Sequence, residues 1–159
     1  MKPPLTESIQ HYLRAVYLLG AGGERVAVTA LARRLGVSPA SASAMVKKLA
    51  ALGLADHAPY RGVSLTPGGE RVALEVIRHH RLLELYLAET LGVAVDAVHD
   101  EADRLEHVLS EELEERIDQV LGFPTHDPHG DPIPNAALEW PASGDRRTGA
   151  SKASAAPRG

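Results

Sequence analysis

The chain contains no cysteine, which removes disulfides, thiolate metal sites and cysteine nucleophiles from consideration. Aromatic residues make up only 4% of it, so a core must be aliphatic, built from Leu, Val and Ala. No apolar run approaches the roughly 18 residues that span a bilayer. The opening Met-Lys-Pro-Pro-Leu-Thr-Glu lacks the apolar centre of a signal peptide. There is no glycine-rich phosphate loop, no G-x-S-x-G elbow and no H-E-x-x-H helix. Asp103-Arg-Leu-Glu-His107 falls one residue short of the inverted zinc-protease pattern, with Asp103 where that pattern needs a histidine. The expectation is a cytoplasmic protein that is not an enzyme, with no membrane partner and no organic cofactor.

What is present suits a soluble chain of one domain or two small ones: 159 residues, 44% of them hydrophobic. The net charge of −4 conceals an asymmetry. From Arg25 to Arg81 there are nine bases against three acids, and from Glu84 to Asp118 twelve acids against two bases. Taken alone, both could be solvated helix faces. Taken together, a basic front half suits a polyanion and an acidic second half suits cations.

Apolar spacing and capping residues predict a helix over Thr6–Leu19, ended by Gly20-Ala-Gly-Gly23. A short helix over Val28–Leu35, with Thr29 as its cap, leads to a turn at Gly36-Val-Ser38. Ser38-Pro39 then reads as an N-cap and first-position proline, opening a third helix to about Leu52. Leu54–Thr66 alternates as a two-stranded hairpin with its turn near Arg61-Gly62. A long helix from about Gly69 to Leu91 follows, then a short one near Asp96 and a continuous one over Asp100–Leu121. The expected fold is mainly α: an N-terminal winged helix-turn-helix over residues 1–68, an α-helical dimerisation and metal-binding domain over 69–135, and a disordered tail over 136–159.

In a helix-turn-helix the second helix enters the major groove by its N-terminal end. Here that end offers Ser38, Pro39, Ala40, Ser41, Ser43 and Ala44, with no Arg, Asn or Gln for bidentate base reading. Phosphate contacts and DNA shape therefore carry the binding, through Ser38, Pro39, Ser41 and Ser43 and the bases Lys47, Lys48 and Arg61.

On a helix, residues three and four apart share a face. His99, Asp103, Glu106 and His107 form one such stripe of donors, and His80 and Glu84 another. An oxygen and imidazole set without sulfur leans toward Mn²⁺ and Fe²⁺, while Zn²⁺, Co²⁺, Ni²⁺ and Cd²⁺ also bind such donors. The alternative is an acidic, solvated helix. His126 and His129 read first as part of a polar loop, with a weak extra ligand source as the alternative.

These segments resemble the diphtheria-toxin-repressor and manganese-transport-regulator family of metal-dependent repressors, over about residues 5–135. The resemblance is carried by His11-Tyr-Leu-Arg14, Ser38-Pro-Ala-Ser-Ala-Ser43, Tyr60-Arg-Gly62, Leu65-Thr-Pro67, His80-Arg-Leu-Leu-Glu84, Val98-His-Asp-Glu-Ala102, Leu105-Glu-His-Val-Leu-Ser110 and Asp131-Pro-Ile-Pro134. It implies a primary metal site of His11, Asp103, Glu106 and His107, and an ancillary site of His80, Glu84 and His99. Asp103 stands where the iron-sensing branch has cysteine and the manganese branch a carboxylate, whereas His11 matches neither. Manganese is thus the first expectation and iron the second. Longer relatives add an SH3-like domain, so the chain is expected to be the two-domain type or to be cut before that domain.

The implied function is a homodimeric, metal-dependent repressor that binds operator DNA upstream of metal-uptake genes. Two rivals are a winged-helix factor answering an organic ligand, and a metal-binding interaction module without DNA binding.

Overall fold

The computed structural model describes residues 5–21 and 23–142. The chain divides into two compact units, Met1–Ala73 and Leu74–Gly159. The division falls inside a helix, a few residues after the boundary the sequence suggests.

In the first unit, α1 (Glu7–Leu19) begins where the Thr6 hydroxyl accepts the Ile9 amide at 3.2 Å. It buries Ile9, Tyr12, Leu13, Val16 and Tyr17, one face at helical spacing. The short α2 (Val28–Leu35) has no side-chain cap: Ala27, not Thr29, holds the N-cap position. It ends at Gly36 with φ 68°, a left-handed turn that glycine adopts freely. That turn leads into α3 (Pro39–Ala51), whose amide at Ser41 donates to the Ser38 hydroxyl at 3.1 Å. Strands β1 (Ala55–Ala58) and β2 (Gly62–Leu65) pair antiparallel, Ala55 opposite Leu65. Val26 adds a third rung by exchanging both backbone hydrogen bonds with Val63 at 2.8 Å. Leu13, Leu31, Val46, Leu49 and Val63 are fully buried here. Each contributes about 1.5–3 kcal/mol of apolar burial, enough to fix α1, α2 and α3 against the wing.

The helix α4 (Pro67–Glu89) carries the chain into the second unit. There α5 (Val98–Leu105) and α6 (Glu111–Val120) complete the set. The continuous helix expected over Asp100–Leu121 is therefore two helices. The break has a local cause: the Ser110 hydroxyl accepts the Leu113 amide at 3.1 Å and starts a new helix with acids in its first turn. Leu83, Leu87, Val98, Ala102 and Ile117 form one core, and Leu82, Leu85 and Ile133 a second.

Past α6 the chain folds back as a strap. Arg78 Nη1 donates to the Pro134 carbonyl at 2.9 Å and Arg81 Nη1 to the Pro132 carbonyl at 2.7 Å. Of the tail expected from residue 136, residues 143–159 lie outside the described residues. Residues 135–139 form a turn in which the Asn135 side chain accepts the Ala137 and Glu139 amides at 2.8 and 3.0 Å. Among the described residues, no helix is long and apolar enough to cross a membrane.

Candidate metal centre and nucleic-acid interface

The second unit gathers its donors from α4, from α5 and from the residues just after α5. His80 and Glu84 are one turn apart and both buried. His80 Nε2 lies 2.9 Å from Glu84 Oε2 and 3.1 Å from His99 Nδ1, and His99 Nδ1 lies 3.2 Å from that same Glu84 oxygen. Donors about 2.1 Å from one ion and at right angles to each other are about 3.0 Å apart. The three atoms already have the spacing of neighbouring ligands, so the ancillary set fits a divalent ion. Asp103 joins the same group, with Oδ1 3.4 Å from His80 Nδ1 and Oδ2 3.7 Å from His99 Nε2.

His80 also faces Glu106, which is buried beyond the end of α5: Nδ1 lies 2.5 Å from its carboxylate. The other Glu106 oxygen lies 3.1 Å from His107 Nε2. An imidazole whose two nitrogens meet two carboxylates has its ring orientation fixed, as metal-ligating histidines require. Of the sequence-derived donors, His80, Glu84, His99, Asp103, Glu106 and His107 thus lie together in one unit. His11, partly buried on α1, belongs to the other unit.

The sequence reading prefers a polar loop for His129, with a weak extra ligand source as its alternative, and gives Asp127 no role. The structure sets both beside Glu84: the three offer ligand atoms within 4.8 Å of one another, with His129 Nδ1 3.4 Å from Glu84 Oε1. Asp127 is held by its own loop, its Oδ1 accepting the His129 and Asp131 amides at 2.8 and 2.9 Å. The available signal is Asp-Pro-His-Gly-Asp, a side-chain-to-backbone turn that aims a carboxylate inward.

These groups perturb one another's protons. Burial alone would push His80 down, but hydrogen bonds to Glu106 and Glu84 outweigh it and raise the imidazole to about 9. Glu84, against the pull of burial, is held down to about 2 by His80. Burial, with the charges of Asp131 and Glu84 nearby, pushes Asp127 up to about 7. Without an ion the cluster is thus a nest of protons and counter-charges, which a cation would displace.

Behind it lies a second buried network. Arg78 bonds Glu114 through Nε and Asp118 through Nη2 at 2.9 Å, and His79 Nε2 meets Glu114 at 2.9 Å. His79 is raised: its burial is outweighed by the hydrogen bond to Glu114.

In the first unit, Pro39, Ser41, Lys47, Lys48 and Arg61 are exposed and Ser43 is half-buried. The Ser38 hydroxyl caps α3 and donates to Ser41 Oγ at 3.0 Å, so it orders the N-terminal turn that would meet the groove. The front of α3 is small and uncharged, with its lysines farther along the helix.

Two family models match in succession: the N-terminal DNA binding domain of iron dependent repressors over residues 4–63, and their metal binding and dimerisation domain over residues 66–135. The chain belongs to the iron-dependent repressor family. Among its relatives, the diphtheria toxin repressor of Corynebacterium efficiens is 38% identical over 133 residues, covering 84% of this chain and 58% of the relative. The iron-dependent repressor IdeR of Mycobacterium tuberculosis is 38% identical over 130 residues, 82% of this chain and 56% of that one. A solved manganese-dependent transcriptional repressor in complex with manganese superposes with a TM-score of 0.78 at 46% identity, covering 86% of this chain and 63% of the other. The repressor ScaR with bound Zn²⁺ gives a TM-score of 0.72 at 34% identity, covering 86% of this chain and 63% of ScaR. The chain thus spans less than two thirds of the length of these relatives. The winged helix-turn-helix and the helical domain that follows are the two parts this repressor family pairs.

Proposed function

We propose that this chain is a metal-dependent transcriptional repressor that binds operator DNA as a homodimer, with Mn²⁺ as its physiological ion and Fe²⁺ the second choice. The observation that carries the reading is the pre-formed His80, Glu84 and His99 triangle in a chain that also carries a winged helix-turn-helix. The sulfur-free donor set favours the harder ions. The similarity to a manganese-dependent repressor points the same way, while the curated relatives named for iron keep Fe²⁺ in view.

His11, Asp103, Glu106 and His107 make the primary set, and His80, Glu84 and His99 the ancillary set, extended by Asp127 and His129. A bound divalent ion supplies the positive charge that this acidic half lacks. The residues do the rest: His80 fixes Glu106 through its second nitrogen, and His11 ties the DNA-binding half to the same chemistry. Restricting the mobile ensemble in this way raises the population competent for DNA. Ser41, Ser43 and Pro39 approach the major groove, with Ser38 holding their turn, and Lys47, Lys48 and Arg61 take phosphates. Val108, Leu113, Val120 and Phe123, each half exposed or more, supply an apolar surface for the second copy.

Gel-shift titration of the gene's own upstream DNA at fixed salt, in chelator and with Mn²⁺, anaerobic Fe²⁺ or Zn²⁺, tests the reading. A shift seen only with metal, and at lower free Mn²⁺ than Fe²⁺, supports it. An equal shift in chelator moves the assignment to a winged-helix factor with an organic effector.

A further inference from the structure

The hairpin of the first unit is held in an unusual way. Its tip is a tight turn, the Arg61 amide donating to the Ala58 carbonyl at 3.0 Å with Pro59 and Tyr60 at the centre. Tyr60 has φ 64°, the left-handed region that glycine or asparagine ordinarily takes at this place in a turn. Its side chain is completely exposed, at 107% of the reference value, so no packing offsets that backbone. A bulky residue kept in a strained conformation and left in solvent points to a function outside the unit.

What holds the strain is Arg25. Its guanidinium uses all five of its N–H groups on the hairpin. Nε donates to the Arg61 carbonyl at 3.2 Å, and Nη2 to the Asp56 and Gly62 carbonyls, both at 3.0 Å. Nη1 reaches Asp56 Oδ2 at 3.2 Å and Ser64 Oγ at 3.4 Å. Three of the five acceptors are backbone carbonyls on both sides of the tip, so the clasp fixes backbone geometry. The ion pair with the exposed Asp56 adds little by itself. Gly62 lets the segment close up: a Cβ there would lie 2.4 Å from the Val26 carbonyl oxygen.

We propose that Tyr60 is a contact of this wing with the sugar–phosphate backbone of duplex DNA, and that Arg25 is the positioning residue that presents it. This rests on the DNA-binding reading of the first unit. A phenol hydroxyl is a standard partner for a phosphate oxygen, and the neighbouring exposed Arg61 supplies the positive charge that draws the tip to a polyanion. The contact carries no base code, so it strengthens binding to any sequence.

The test is fluorescence anisotropy of the full chain, loaded with Mn²⁺, on its upstream duplex and on a random duplex at fixed salt. Trypsin cleavage after Arg61 serves as a DNA-free readout. Tyr60→Gly should raise the melting temperature by relieving the left-handed strain, yet weaken both duplexes by about three- to tenfold. Tyr60→Phe, which keeps the ring, should lose a similar factor. Arg25→Ala should weaken binding, speed cleavage at Arg61–Gly62, and add little in the Tyr60→Gly background. Arg25→Lys, without the planar fork, should not restore it. Wild-type affinity in Tyr60→Gly or Tyr60→Phe overturns the contact, and an undiminished Arg25→Ala loss in the Tyr60→Gly background overturns the positioning role. A wild-type chain that binds no duplex at any salt overturns the DNA-binding reading itself and this proposal with it.

Discussion

His80 and Glu84, one turn apart on α4, meet at 2.9 Å through Nε2 and Oε2 in a buried site. The same carboxylate oxygen faces His99, and the other oxygen faces His129. Glu84 is thus the hinge between two groups of donors, and its loss should be felt by both.

Glu84→Gln keeps the shape and removes the charge. We predict that it weakens Mn²⁺ binding in equilibrium dialysis by about tenfold or more. Asp127→Asn and His129→Ala should lose less and only part of the bound metal, since His80 and His99 remain. Unchanged affinity in Glu84→Gln would remove the ancillary set from the account.

Metal affinity should climb with pH. His80 has a raised folded pKa, about 9 against an ordinary 6.5, so its contribution to metal-free stability is complete below pH 6.5 and is lost as pH rises toward 9. Glu84 is lowered from 4.5 to about 2, so its contribution is present above pH 4.5 and lost as pH falls toward 2. Asp127 is raised from 3.8 to about 7, and its folded form keeps a proton the unfolded chain releases, so stability declines across that interval. A cation competes with the protons on His80 and Asp127. Titration in weak buffer at about pH 6.5 should show proton release on Mn²⁺ addition, and none with magnesium at the same concentration.

The Arg78 network should be a matter of folding. Arg78 is 3% exposed and bonded to Glu114, Asp118 and the Pro134 carbonyl. Arg78→Ala leaves Asp118 without its Arg78 partner and Glu114 with His79 alone, a change of the kind that costs about 3–5 kcal/mol. Chemical denaturation of the metal-free chain measures it directly. A loss below about 1 kcal/mol would mean the strap is held by other contacts.

Much of this was legible because helices repeat. The pairs His80 with Glu84 and His99 with Asp103 are read from spacing alone, and Ser38-Pro39 announces α3. Apolar spacing does not show the break between α5 and α6, although Ser110 followed by Glu111 and Glu112 is a cap with an acidic first turn. A continuous apolar stripe masked it. Asp127 is not legible, and His129 only as a weak alternative, because no periodicity links an irregular strap to a distant helix; only the fold brings them to Glu84. The alternation points to a hairpin turn near Arg61-Gly62, whereas its centre is Pro59-Tyr60, because tyrosine is a poor candidate for a left-handed position.

His11→Ala and Asp103→Ala test the primary set that the family resemblance implies. Each should leave DNA binding in chelator unchanged and abolish most of its stimulation by Mn²⁺, read by gel shift. Full stimulation in both variants would remove His11 and Asp103 from the primary set.

The most direct measurement is the affinity for the gene's upstream duplex by fluorescence anisotropy at one salt concentration, once with saturating Mn²⁺ and once in chelator. The account predicts a gain of about 5- to 150-fold with metal, the ordinary range of coupling between two linked sites. Equal affinity in the two conditions would contradict it.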